Sequence, residues 1–124
     1  MLRIAKFDEK KLQREVYHLG QSQFLIDWAI NEPSCCAGFI EFDKDINQGF
    51  PFGHNEIHYV LSGKAEYTFT SQPAHMEERK AILAAGDLCL IRYGTAIKFH
   101  PIEQPFRVAY VVMPMPEVPY RPFD

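Results

Sequence analysis

Short runs of apolar residues, many of them alternating with polar residues, follow one another along most of the chain. Alternation with a period of two is typical of strands, and Gly, Pro, Asn and Asp between the runs mark turns. The pattern predicts strands over 24–30, 37–42, 56–61, 65–70, 80–83, 87–91, 96–100 and 106–113. It predicts turns over 31–34, 45–49, 62–63, 85–87 and 93–95. This spacing indicates an all-β protein, either a sandwich or a small antiparallel β-barrel with little helix.

The two ends of the chain differ from this pattern. Residues 6–18 have a helix-like composition, with Asp8 as a candidate cap and Gly20 as a candidate end, although an N-terminal strand fits equally well. The tail 114–124 contains four prolines, so it is expected to run extended along the surface. A length of 124 residues fits a single domain over 1–124, with an N-terminal arm at about 1–20 and a Pro-rich C-terminal tail at about 114–124.

Composition and charge narrow the classes of function. The formal net charge of −3 gives no electrostatic reason to expect nucleic acid or an anionic membrane as a partner. No secretory signal is recognisable and no apolar run has the length of a membrane span. The three cysteines form a poor disulfide framework, and free thiols favour a cytoplasmic location.

Two segments resemble the two conserved motifs of the cupins. Glu56-Ile-His-Tyr-Val-Leu-Ser-Gly63 is similar to the first motif, and Gly86-Asp-Leu-Cys-Leu-Ile-Arg-Tyr-Gly94 is similar to the second. The glycines are expected to adopt positive φ at tight turns between strands. The resemblance implies the cupin fold, a double-stranded β-helix or jelly roll, with a small-molecule pocket. The approach to Glu56 is similar to the branch that includes the ethanolamine-utilisation cupins and to ureidoglycine-aminohydrolase-like cupins.

The chain departs from the cupin motifs at most of the metal-ligand positions. The family pattern places histidines where this chain has Phe50 and Phe52, and another histidine where it has Ile97. Of the four usual ligands only Glu56 stays in register. The resemblance therefore implies a divalent transition metal (Zn, Mn, Fe or Ni) as a candidate cofactor, with no cofactor as the alternative.

His54, Glu56 and His58 are expected to share one face of their strand, because strand side chains alternate. Three ionisable groups on an inward face are costly without partners, which is the main argument from the residues for a functional site. They form a tentative metal-ligand set, but one metal can reach both histidines only if the chain bends near residues 53–55. The alternatives are a buried Glu–His pair that only supports the barrel and a half-exposed His54 in a turn.

Two functions remain open. In the first, the protein is an enzyme in which Glu56 and His58 perform acid–base or metal-assisted lyase, isomerase or hydrolase chemistry on a small polar substrate. The candidate substrate-binding residues are His54, Phe50, Phe52, Tyr93 and Arg92. In the second, it is a non-catalytic binding or accessory cupin that has lost the usual metal site. A homodimer is expected in either case, because apolar surface in the strands before Glu41 and in the tail needs covering.

Overall fold

The computed structural model describes residues 1–13, 15–19, 22–70 and 77–113. Within them one short helix precedes eight strands. The elements are α1 (Glu9–Leu12), β1 (Val16–Leu19), β2 (Ser22–Glu32), β3 (Cys35–Phe42), β4 (Ile46–Pro51), β5 (Glu56–Thr70), β6 (Arg79–Ala84), β7 (Leu88–Ile91) and β8 (Ala96–Val112). The prediction of an all-β protein with little helix is confirmed.

All strand pairs are antiparallel, and two long strands carry the topology. The order is β1-β2-β3-β8-β5-β6, with β4 also paired to β8 and β7 also paired to β5. The first part of β5 pairs with β7 and the second part with β6. Likewise the first part of β8 pairs with β4 and the second part with β3. Each of the two long strands, β5 and β8, pairs with one neighbour along its first part and with another along its second part. The sheet therefore folds over itself into a small cupin-type jelly roll.

Gly63 does not lie in a turn, so that prediction is wrong. Strand β5 runs unbroken through it, and its pairing with β8 shifts register between Val60 and Ala65. Gly63 has φ 77°, and a Cβ atom there would lie 2.4 Å from the carbonyl oxygen of Glu103. The glycine therefore allows a bulge that bends a continuous strand. The predicted strands 96–100 and 106–113 are likewise one strand, β8.

Two further predictions are corrected near the N-terminal half. Residues 45–49 were expected to form a turn, but Ile46 begins β4, is fully buried and pairs with Phe99. The helix-like segment forms only the short α1, in which Asp8 Oδ1 accepts a hydrogen bond from the amide of Lys10 at 3.0 Å. The following residues form β1 instead. Gly20 and the tail 114–124 lie outside the described residues.

The core is mainly aromatic. Phe42 stacks on Phe99 with ring centroids 4.3 Å apart, and Tyr67 meets Phe99 edge to face at 4.7 Å. Phe42, Tyr67 and Phe99 belong to β3, β5 and β8, so the aromatic core joins three strands of the sheet. Glu56 and His58 are the buried polar or charged residues in the described part of the chain.

The outer face of β5, β7 and β8 is apolar and exposed. Leu88, Leu90 and Tyr59 are 71%, 53% and 44% exposed, and Val111 is 39% exposed. The strand register makes them neighbours, since Tyr59 pairs with Leu88 while Ile57 pairs with both Leu90 and Val111. Separately, no helix in the described ranges is long and apolar enough to cross a membrane.

Candidate functional site

The candidate site lies where the chain enters β5. Before this strand the backbone bends, and the amide of Phe52 donates to the carbonyl oxygen of Thr95 at 2.9 Å. The side chain of Asn55 accepts a hydrogen bond from the amide of Tyr93 at 2.8 Å. Both contacts join the entry of β5 to the loop before β8, so a backbone pair and the side chain of Asn55 fix the bend. It brings His54 back toward Glu56.

Glu56 binds both histidines, one with each carboxylate oxygen. Its Oε1 lies 2.8 Å from His54 Nε2, and its Oε2 lies 2.5 Å from His58 Nε2. The Nδ1 atom of His58 lies 2.9 Å from the hydroxyl of Tyr67. The side chain of His54 is 30% exposed, whereas those of Glu56 and His58 are 8% and 1% exposed. The result is a chain of four hydrogen-bonded side chains that starts at the surface and ends in the core.

The protonation of these groups follows from their environment. Burial by itself raises the pKa of Glu56, but hydrogen bonds and charges from His54 and His58 outweigh it, so the pKa lies below its usual value. The ionised carboxylate only accepts, so each histidine donates an Nε2–H. Burial raises the pKa of Tyr67 well above its usual value, and its hydroxyl therefore remains a donor, to His58 Nδ1.

This assignment distinguishes the two histidines. Both ring nitrogens of His58 are engaged, one with Glu56 and one with Tyr67. Among the described residues His54 is engaged through Nε2 alone, so the neutral form of this ring, with its proton on Nε2, has the lone pair on Nδ1. The partly exposed His54 is thus the member of the group that can exchange a proton with a bound molecule.

A cavity of about 140 Å³ lies against this group, and we call it the Glu56 cavity. The residues that line it are mostly aromatic or aliphatic: Tyr17, Phe24, Ile26, Trp28, Ile40, Phe42, Phe50, Phe52, His54, Glu56, His58, Phe99, Tyr110 and Val112. Its volume is close to that of an engineered cavity of about 150 Å³ that binds benzene. A molecule with one six-membered ring would fill it.

Tyr110 also lines the Glu56 cavity. Its hydroxyl is buried and has no hydrogen-bond partner within the described chain. Burial, followed by the charge of Glu56, raises its pKa above the usual value, so the hydroxyl keeps its proton. Gly38 makes room for it, since a Cβ atom there would lie 2.9 Å from the hydroxyl oxygen. A buried hydroxyl without a partner is costly unless water or a ligand satisfies it.

The structure separates the residues predicted to bind substrate. Phe50 and Phe52 line the Glu56 cavity together with His54. Arg92 and Tyr93 line a different cavity, whose lining shares no residue with the first. The five residues therefore line two cavities, and their role in binding substrate stays a prediction.

Sequence reasoning missed Tyr67, and the reason is the bulge at Gly63. The inward positions before the bulge are Glu56, His58 and Val60, but after it they are odd-numbered, beginning with Ala65. Strict alternation from Glu56 would place residue 67 on the outer face. Gly63 is visible in the sequence. A bulge placed at this glycine would have predicted that Tyr67 faces inward.

The described residues do not fit the metal-ligand set of the cupins. Phe50, Phe52 and Ile97 offer no donor atom at the usual ligand positions. The chain does bend near residues 53–55, but both histidines then bind Glu56 through Nε2. No group of three or more His, Cys, Asp or Glu residues in the described ranges is arranged to hold a metal ion. A transition metal stays a prediction, and these residues do not support it.

Solved structures place this fold among known proteins. The chain is 26% identical to ethanolamine utilization protein Q (EutQ) of Salmonella typhimurium LT2, with a TM-score of 0.56 over 74% of this chain and 68% of that one. It is 12% identical to a cupin superfamily protein of Desulfitobacterium hafniense DCB-2, with a TM-score of 0.59 over 78% of this chain and 83% of that one.

A third similar structure is an enzyme. It is hydroquinone 1,2-dioxygenase PnpCD in complex with Cd²⁺ and 4-hydroxybenzonitrile, 15% identical, with a TM-score of 0.56 over 71% of this chain and 63% of that one. This chain thus spans slightly less than two thirds of the dioxygenase chain. No family model matches the sequence, and no curated protein matches it either.

These matches define the class of protein: the chain is a cupin by fold. Among the cupins it resembles EutQ, in agreement with the resemblance seen in the approach to Glu56.

Proposed function

We propose that this cupin is an enzyme that moves a proton on a small carbonyl compound held in the Glu56 cavity. The observation that carries the proposal is the ionised Glu56, buried between two histidines that both donate to it. A carboxylate in this position fixes the imidazole tautomer and stabilises the imidazolium formed when the ring takes a proton. The reaction class is that of lyases and isomerases that begin with removal of a proton next to a carbonyl group.

His54 is the proposed base. Its Nδ1 carries the lone pair and its side chain is partly exposed, so it can contact a molecule in the cavity. His58, predicted from sequence as the acid–base partner, lies deeper and has both nitrogens engaged. In this proposal His58 is a positioning residue that holds the second oxygen of Glu56.

The Tyr110 hydroxyl is the proposed electrophilic group. When His54 Nδ1 takes the proton from the α-carbon, the electron pair of the C–H bond moves toward the carbonyl oxygen. A buried hydroxyl that still needs a partner can donate to that oxygen as its charge develops. The aromatic wall excludes water, which strengthens this interaction. Returning the proton from His54 completes an exchange with no net reaction or, at another carbon, an isomerisation.

Deuterium exchange tests the proposal. Cyclohexanone, which has the ring size that the cavity admits, is incubated in D₂O with the protein, and uptake at its α-carbons is followed by NMR. We expect exchange above the buffer rate for the wild type, and a loss of about 100-fold or more in Glu56→Gln and His54→Asn. His100→Asn is the matched control, because it breaks another imidazole–carboxylate pair, with Asp45, on an exposed surface.

The outcomes separate the two functions. Equal exchange in Glu56→Gln and the wild type would overturn the proposed site. Binding of cyclohexanone without exchange, seen as NMR shifts at His54, would identify the alternative, a non-catalytic binding protein. That alternative is supported by the loss of the usual ligands at Phe50, Phe52 and Ile97.

We also propose a homodimer through the apolar outer face of β5, β7 and β8. The support is the high exposure of neighbouring Leu88 and Leu90, in a patch of a kind that marks protein–protein interfaces. Leu88→Asp should shift the sedimentation coefficient from dimer to monomer. A monomeric wild type at micromolar concentration would contradict the proposal.

A further inference from the structure

The second cavity, which we call the Tyr67 cavity, has a volume of about 280 Å³. Its floor is buried and apolar, with Leu83, Ile91 and Ile97 each 5% exposed or less. Phe69, Ala81 and Leu90 extend the apolar lining. The volume is nearly twice that of the engineered cavity of about 150 Å³ that binds benzene, so a chain of several carbons fits.

The charge of this cavity is opposite to that of the first. Among the described residues that line it, Arg92 is the only permanently charged one, and it lies exposed at the rim. Burial raises the pKa of both Tyr67 and Cys89, so these two groups stay neutral. An apolar floor below a cationic rim fits a molecule with a hydrocarbon body and a single anionic end.

We propose that the Tyr67 cavity is a second binding site, for a small aliphatic carboxylate. The hydrocarbon chain packs on Leu83, Ile91 and Ile97, and the carboxylate meets the guanidinium of Arg92, whose geometry suits such a group. The Glu56 cavity rejects the same ligand, because its own buried carboxylate is ionised and like charges repel. The site is separate from the proposed proton transfer and does not depend on it.

Tyr67 forms the boundary between the two sites. Its ring lines the second cavity, while its hydroxyl binds His58, which lines the first. A ligand against the ring of Tyr67 is therefore one side chain away from the Glu56 group. This gives the binding experiment a local reporter, the ring resonances of Tyr67.

Hexanoate is the probe, and its binding is measured by NMR titration at neutral pH. Ala81→Phe, which fills the cavity from the edge strand β6, should raise the Kd at least about tenfold. Ile82→Phe is the matched control, since Ile82 is the adjacent, 51% exposed residue and does not line the cavity. It should leave the Kd within about twofold.

A milder variant keeps the test valid if Ala81→Phe does not fold. Arg92→Gln at the exposed rim should weaken hexanoate about fivefold and leave 1-hexanol unchanged. Glu56→Gln should leave hexanoate binding unchanged, which separates this site from the proposed active site. No saturable binding to the wild type, equal binding to Ala81→Phe, or loss of binding in Glu56→Gln would each overturn the proposal.

Discussion

The two cavities share one sheet but differ in chemistry. The Glu56 cavity contains a buried carboxylate, two imidazoles and a hydroxyl without a partner, in a space of about 140 Å³. The Tyr67 cavity is about twice as large, and the described residues that line it include no carboxylate. One cavity concentrates polar groups that cost folding free energy, while the other has an apolar lining of the kind that ordinary packing produces. The free-energy cost of burying polar groups, rather than the volume of the cavity, identifies the candidate site.

The boundary between the cavities involves two positions at which the resemblance to the cupins implies metal ligands. In the cupin pattern, histidines stand where this chain has Phe52 and Ile97. Phe52 lines the Glu56 cavity and Ile97 lines the Tyr67 cavity. Where the family pattern has ligands converging on one ion, this chain has side chains that line two spaces.

The two buried tyrosines, Tyr67 and Tyr110, provide the test with the larger expected effect on stability. The Tyr67 hydroxyl forms a hydrogen bond with His58 Nδ1, whereas the Tyr110 hydroxyl has no partner in the described chain. Tyr67→Phe leaves a buried imidazole nitrogen unpaired, so we expect it to lower the free energy of unfolding by about 1–3 kcal/mol. Tyr110→Phe removes a buried hydroxyl that has no partner in the described chain, so it should raise that free energy, by up to about 1–3 kcal/mol. Urea denaturation followed by tryptophan fluorescence measures both.

The same pair separates stability from function. Tyr110→Phe should slow the proposed deuterium exchange, because the developing oxyanion loses its donor, while the protein becomes at least as stable as the wild type. Equal destabilisation by both substitutions would mean that Tyr110 is satisfied in solution. The proposed electrophilic role would then be withdrawn.

Most of the fold could be predicted from the sequence, because strand periodicity and the two glycine-closed motifs are local signals. The predicted strands at 24–30, 37–42 and 80–83 lie within β2, β3 and β6. Strand β4 was missed because Ile46 is flanked by polar residues in the sequence. It reaches an apolar environment only when β4 pairs with β8. That pairing is long-range, so it has no local signal.

The candidate site was only partly predictable. Alternation placed Glu56 and His58 on one inward face, and both are buried. A bend near residues 53–55 entered the sequence analysis only as the condition for one metal to reach both histidines. Alternation could not show that the bend joins both rings to the same carboxylate, because that depends on contacts between the entry of β5 and the loop before β8. Tyr67 was missed because one bulge reverses the parity of everything after it.

The test with the smaller expected effect compares how the stability contribution of each cavity depends on pH. The folded-state pKa of Glu56 lies below its usual value of 4.5, because hydrogen bonds from the histidines outweigh burial. A carboxyl group with a lowered folded-state pKa stabilises the native state at pH values above the unfolded pKa. That stabilisation is lost as the pH falls from about 4.5 through the folded-state pKa. The effect is modest because burial opposes it.

Urea denaturation of the wild type and Glu56→Gln between pH 7 and pH 3 measures this effect. We expect the stability advantage of the wild type over Glu56→Gln to shrink as the pH falls below about 4.5, since Gln cannot titrate. Ala81→Phe is the comparison for the Tyr67 cavity: its stability difference from the wild type should stay level over the same range, because no described lining residue there is a carboxyl group. An advantage of Glu56 that persists unchanged at pH 3 would show that the carboxylate is not held ionised by the two histidines, and the assignment of His54 as the base would lose its basis.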